Sequence, residues 1–453
     1  MLALITLLSL SYILQEAEFG KFALISTNAL FVQILFGSWI TSSANKFISL
    51  EYDKNREISL ILSLVIITFF AVFLTIIFYT LFFKIEYKIS FSIFYFSCSI
   101  ILFDIILAIL NGTGSADQYA QLSLIRAFGA FVCPVLVAAI GGNGLQVAIA
   151  SATAVVFSML MCYPARSILA HAILPTGLLS GMKRYLNFGV GGALVLGVYV
   201  IINAPLRNLI AYFEGLNAAG HWALTSDVFY GPLAIAGTVA TLSANRQLHR
   251  WTQQANPNRE GDASTAYFES LLLVSIPYSA VGYLVAPDIS QLIFSAGISS
   301  EVSALAPQIC IQNAAILVIY GLCYIAYTKE RWSALYFSIA SVAFLPFFAA
   351  SATLADRVPW FDLVGAVTIS TVACAVLITS SYILTGILKV RIKNIVRIIL
   401  LSGFVFTIIY FSRLFYNNSA MSLFASIMGG FIYVLGAYLL GLFKIELAAP
   451  MES

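Results

Sequence analysis

Apolar runs of about 20 residues recur from one end of this chain to the other, a pattern that fits a set of bilayer-crossing helices and little else. In hydrocarbon every backbone N–H and C=O needs a partner inside the protein, and a helix supplies those partners from its own backbone. Composition agrees. Of 453 residues, 9% are charged and 61% belong to the nine apolar types, with a mean hydropathy of +0.96. A soluble domain carries about a quarter charged residues, so this one falls outside that class. The net charge of +3 gives no basis for nucleic-acid binding. The six cysteines lie in or beside apolar runs without metal-ligand spacing, as reduced, packed thiols do, and neither metal nor cofactor is expected. The first 14 residues resemble the apolar core of a signal peptide. They lack a basic start and lead into Gln15 and Glu16 without a small-residue site, so no cleavage is expected.

Fourteen apolar segments are expected, at about 1–14, 21–41, 58–83, 91–111, 122–141, 145–164, 188–212, 217–243, 267–286, 304–327, 333–354, 361–388, 394–412 and 421–443. Basic residues then set the orientation, because short cytoplasmic loops retain them. With the N-terminus inside, 17 of the 23 Lys and Arg residues fall on the inner side and 6 on the outer. The expected topology is N-in and C-in. The inner stretch 165–187 reads as an interfacial amphipathic connector between two halves.

An internal echo defines those halves. Laid over 220–246 without gaps, residues 20–46 match at nine of 27 positions, among them Gly20/Gly220, Gly37/Gly237 and Asn45/Asn245. The pair S-A-N-K and S-A-N-R closes both segments, placing Lys46 opposite Arg246. The matching helices are the second and eighth, six apart and so pointing the same way, as in transporters built from parallel repeats. The expected fold is therefore an all-α polytopic membrane protein with two parallel six-helix lobes and two C-terminal helices. Its parts are an N-terminal lobe (1–164), the connector (165–187), a C-terminal lobe (188–388) and helices 13 and 14 with a cytoplasmic tail (389–453). In this register the counterpart of Phe188 falls about 12 residues ahead of Met1, so helix 1 is expected to be truncated.

The helix 2 entry E-F-G-K-F-A-L (18–24), the exit A-N-K-F (44–47), the helix 7 stretches L-N-F-G (186–189) and L-R-N-L-I (206–210), and G-H-W-A-L (220–224) carry a family resemblance. They resemble Wzx-type lipid-linked oligosaccharide flippases of the multidrug/oligosaccharidyl-lipid/polysaccharide (MOP) exporter superfamily. The resemblance extends over the chain in helix number and repeat. It departs at Tyr12, where many members carry arginine, at Leu206, where an acidic partner of Arg207 is usual, and at Val190 and Gly191, where a proline is usual.

Ionisable residues at bilayer depth are functional candidates by default. Tyr199, Asn203 and Arg207 recur at helical spacing with Glu214 two turns on, so all four lie near one face. There Arg207 either offers its planar fork to a pyrophosphate or snorkels to the outer interface beside Glu214. Asp104 stands on a stripe with Ser97 and Asn111, and Asp227 begins one with Tyr230, Ala234, Thr238 and Thr241. Either carboxylate is a candidate to couple transport to an ion gradient, against a reading of Asp227 as a water-accessible surface group. Lys46 and Arg246 either flank an entering pyrophosphate or anchor the topology. His171, His221 and His249 have no partner at metal or catalytic spacing.

The resemblance implies a multi-pass flippase in the bacterial inner membrane. It would carry polyprenyl-pyrophosphate-linked oligosaccharides by alternating access for O-antigen, capsule or exopolysaccharide synthesis. Its partners would be that substrate, bilayer lipids, a coupling ion and glycan polymerase components. The competing readings are a multidrug/cation antiporter on the same scaffold and a membrane glycan polymerase or ligase. Short outer loops and the repeat weigh against an enzyme.

Overall fold

A computed structural model describes residues 2–50, 54–83, 86–162, 165, 168, 178–253, 257–355, 360–416 and 419–442. Among the described residues there are fifteen helices and no strand. The helices are α1 (Leu2–Ile13), α2 (Glu16–Phe36), α3 (Ser38–Leu50), α4 (Lys54–Phe83), α5 (Tyr87–Gly112), α6 (Ala116–Ala139) and α7 (Gly144–Met161). They continue as α8 (Leu178–Phe213), α9 (Gly215–Gln253), α10 (Pro257–Ile293), α11 (Ala296–Thr328), α12 (Trp332–Ala355), α13 (Trp360–Leu384), α14 (Ile392–Tyr416) and α15 (Ser419–Leu439).

Among the described residues the fourteen apolar segments fall mainly on helices, and eleven helices are long and apolar enough to cross a membrane. The other four are the short α1 and α3, the more polar α9, and α15, whose apolar stretch Leu423–Leu439 is shorter. One segment divides. Residues 21–41 become the end of α2 and the start of α3, with Gly37 between them. A Cβ on Gly37 would sit 2.7 Å from the Ile101 side chain of α5, so a larger residue there would force that side chain to shift. Residues 178–187, read as connector, already belong to α8; most of 165–177, with His171, lies outside the described residues.

The helices form two compact units, Met1–Leu224 and Thr225–Ser453. In the first, α5, α6 and α7 pack on one another, α5 also meets α2 and α3, and α8 lies along α2 and α3. Phe103, Ile106, Leu122, Val155 and Met159 form a dry core between α5, α6 and α7. The α7 N-terminus has a capping box, with Asn143 and Gln146 each bonding the other's backbone N–H. Glu18 of α2 adds to it, accepting from the Gly144 N–H at 2.7 Å and from Lys21 Nζ at 2.9 Å. A carboxylate at a helix N-terminus also meets the positive end of the helix dipole.

In the second unit α11, α12 and α13 make a mutually packed trio in turn, and α10 runs along α11. A Cβ on Gly237 would fall 2.8 Å from Leu317 of α11, as one on Gly37 would meet Ile101 of α5. Helices α14 and α15 dock on α10 through Leu273, Val285, Ile398, Val405, Ile409 and Tyr433. Polar contacts follow the same seam: Arg391 to Asp262 (3.3 Å), Asn394 to Glu269 (3.0 Å), Arg413 to the Leu284 carbonyl (2.6 Å) and Arg413 to Asp288 (3.1 Å). Partner numbers rise together, 125 or 129 residues apart, so α10 and α14 run in the same direction.

Candidate functional site

In the first unit the polar residues gather at three places. One centres on Asp104, in α5 between two apolar helices. Gln33 of α2 donates to Asp104 Oδ2 at 2.9 Å, and Arg126 of α6 donates to Oδ1 at 3.4 Å. The same guanidinium lies 4.4 Å from the centre of the Phe103 ring, and Gln33 also donates to Ser38 at 3.2 Å. The stripe expected on α5 thus reaches three neighbouring helices: Asn111 donates to Asn45 of α3 at 3.0 Å, while Ser97 is fully buried against its own backbone. Asp104 and Arg126 keep side-chain exposures of 24% and 32%, so the pair is reachable as well as paired. Its net charge is zero. Protonating the carboxylate, or neutralising it with a bound cation, would free the guanidinium for another anion.

The second place is the α2/α8 seam. Arg207, 4% exposed, donates to the Thr27 hydroxyl, and Asn203, 1% exposed, accepts from the Trp222 indole at 3.3 Å. At the next residue of each helix Asn28 and Asn208 exchange amide bonds at 3.1 and 2.8 Å. His221 lies 3.6 Å from Glu16. Backbones meet here: a Cβ on Gly20 would fall 1.9 Å from the Leu216 carbonyl oxygen, and one on Gly220 would fall 3.0 Å from Gly20 Cα. Arg207 is therefore buried between helices. Glu214 stands apart, exposed in the turn between α8 and α9.

The third place holds Lys46. Its ammonium is exposed and sits 3.9 Å from the centre of the Phe188 ring. Beside it Arg184 covers the Phe47 ring at 4.5 Å and donates to Glu57 Oε1 at 2.5 Å, while the Tyr185 hydroxyl donates to Glu57 Oε2 at 2.9 Å. Phe47 packs on both Tyr185 and Phe188. Gly189 lets α8 cross α3 closely, since a Cβ there would lie 1.9 Å from the Trp39 carbonyl oxygen. Cations held over aromatic faces keep their charge while gaining about 0.5–1 kcal/mol at exposed sites. The side chains of Arg246 and His249 lie outside what the structure describes.

In the second unit Asp227 is half-buried on α9. The stripe that follows it, from Tyr230 to Thr241, lines a cavity of about 290 Å³ together with Tyr267 of α10 and Tyr320 and Tyr324 of α11. Sequence reasoning named the α9 side of this cavity and missed the other two. It also missed Gln33 and Arg126, although Arg126 falls inside an expected apolar segment, where any charge calls for a partner.

No protein-family model and no curated protein matches the sequence. Solved structures do match. Lipid II flippase MurJ in an inward closed conformation superposes with a TM-score of 0.70 at 13% identity, over 97% of this chain and 96% of that one. An inward-facing multidrug resistance MATE family transporter of the MOP superfamily gives 0.66 at 11% identity, over 85% and 94%. A MOP superfamily transporter from Pyrococcus furiosus gives 0.57 at 13% identity, over 85% and 91%. The likeness establishes the fold, a multi-pass helical fold shared with MOP superfamily transporters.

Proposed function

We propose that the chain is a flippase. It takes a polyprenyl-pyrophosphate-linked oligosaccharide from the cytoplasmic leaflet of the bacterial inner membrane and releases it on the far side by alternating access. The observation that carries this reading is the extent of the match to lipid II flippase MurJ. It takes in 97% of the chain, against 85% for the MATE transporter, and the difference is about the size of segment 389–453. A two-helix extension beyond two six-helix lobes suits a flippase better than a twelve-helix antiporter. In this reading Arg207 and Asn203 meet the polar head, Lys46 and Arg246 receive the pyrophosphate, and Asp104 couples transport to an ion gradient through its hold on Arg126. Asp227 and Glu214 are the remaining coupling candidates.

The test is cellular. A strain deleted for the gene should accumulate lipid-linked repeat units in the cytoplasmic leaflet and lose the matching surface polysaccharide, with both restored by the intact gene. Deletion that leaves lipid-linked intermediates unchanged while raising sensitivity to cationic drugs would instead favour the antiporter.

A further inference from the structure

We infer that the tyrosine-lined cavity of the second unit is a sugar-binding subsite that takes one neutral pyranose ring. The inference rests on the flippase reading for the origin of that sugar, in the substrate's oligosaccharide head. The cavity's chemistry is read independently.

Three ring planes form a row: Tyr267 and Tyr324 lie 5.5 Å apart at 23°, and Tyr324 and Tyr320 lie 6.5 Å apart at 17°. Tyr230 completes the set from α9. The remaining walls are aliphatic or carry threonine hydroxyls, and among the described residues no Asp, Glu, Lys or Arg lines the cavity. That argues against the pyrophosphate as occupant, since it would demand cations. Neutral rings can hold a quaternary ammonium when they enclose it as a cage, but Tyr267, Tyr324 and Tyr320 stand as a near-parallel row, which offers a flat face instead. A pyranose suits what is present. Its C–H face is apolar and continues a row of near-parallel rings, and its hydroxyls pair with phenols at the rim. The volume equals that of about ten water molecules, enough for one ring and its hydroxyls.

Tyr320 supplies a second, separate observation. It is half-buried, and among the described residues no hydrogen bond engages its hydroxyl. That hydroxyl is not one of the buried unpartnered atoms, so it stands accessible in the cavity and free to pair with a sugar hydroxyl. Thr238 and Leu242 are exposed, so they mark the open side, while Tyr267, Leu271 and Leu317 are buried at its base.

The experiment uses the full chain in lipid nanodiscs with methyl glycosides of glucose, galactose and N-acetylglucosamine as probes, read by saturation-transfer NMR. At least one glycoside should receive transfer at its ring protons. Y324L, which removes the middle ring, should weaken that binding at least tenfold. Y320F, which removes one hydroxyl and leaves packing intact, should weaken it several-fold, and Y212L, on the exposed end of α8, should leave it unchanged. Absence of transfer to all three glycosides overturns the inference, as does equal transfer in wild type and Y320F. So does displacement of every glycoside by tetraethylammonium at lower concentration than by another glycoside. If the deletion strain accumulates lipid-linked units while no glycoside binds, only the subsite falls. Tyrosine-dependent glycoside binding without that accumulation removes the flippase and leaves the subsite.

Discussion

Asp104 and Arg126 face each other across α5 and α6 at 3.4 Å, and Gln33 holds the second carboxylate oxygen at 2.9 Å. A lone charge at the centre of a membrane helix costs about 2.5–3.5 kcal/mol on insertion scales, and pairing offsets much of that. In D104N the Gln33 contact can persist while the ion pair is lost. Surface polysaccharide in the deletion strain should then fall at least tenfold below wild-type complementation, with expression unchanged. R126Q should behave alike. The exchange D104R/R126D should likewise keep expression and thermal midpoint without restoring transport, because only the native order presents a protonatable group beside Gln33. Full complementation by D104N would remove Asp104 from the mechanism.

Arg207 is expected to act through its planar fork, which binds the Thr27 hydroxyl within the α2/α8 seam. R207K keeps the charge and loses the fork, so the flipping rate in reconstituted vesicles should drop by about one to two orders of magnitude. T27V leaves the arginine in place and should cost less. If R207K flips at the wild-type rate, Arg207 serves packing alone.

For Lys46 the useful variant is the double charge reversal K46E/R246E. Two repeat-related cations receiving a pyrophosphate predict loss of export and a raised substrate concentration for half-maximal rate. F188L removes the ring beneath Lys46 and should have a milder effect in the same direction. Normal export from the double reversal ends the proposal of a cationic entry.

The glycine crossings give a graded stability test. A methyl at Gly20 would fall 1.9 Å from a backbone carbonyl oxygen that cannot swing aside, whereas Gly231 has nothing within 4 Å. Overpacking costs about 1–3 kcal/mol and more where backbones must part. In detergent, G20A should unfold at the lowest temperature, G220A at an intermediate one and G231A close to wild type. Equal midpoints for G20A and G231A would contradict the close crossing.

Docking of the last two helices depends on Arg413, which spans the Leu284 carbonyl and Asp288. R413A takes the Arg413 cation from that buried carboxylate, at a cost of about 1–3 kcal/mol or more. Protease cleavage between α13 and α14 should accelerate in R413A and recover in R413A/D288A. No change in cleavage would show that the apolar seam alone holds these helices.

What the sequence conveyed depended on how local each cause was. The apolar segments became mainly helices because hydropathy and backbone bonding act along one stretch. The close contact of Gly37 with Ile101 was hidden because Ile101 lies on another helix. Half of the tyrosine cavity was legible as the spacing of Tyr230, Thr238 and Thr241 on α9, whereas Tyr267, Tyr320 and Tyr324 join it only through packing. Arg126 was counted as a marker of sidedness, and charge counts carry no information about partners. Glu57 escaped notice for the same reason, although it ties Arg184 to Tyr185.

The bond from Glu18 to the Gly144 N–H sets an order of assembly. The two residues are 126 positions apart, so at about 5–20 residues per second a ribosome needs roughly 6–25 s to deliver the second after the first. Through that interval α2 carries a carboxylate whose final partner does not yet exist. Lys21, three residues away, is made almost at once and already bonds Glu18 at 2.9 Å. The nascent chain therefore brings its own temporary counter-ion to the bilayer, and α7 completes its N-terminus on arrival against a group that has been waiting for it.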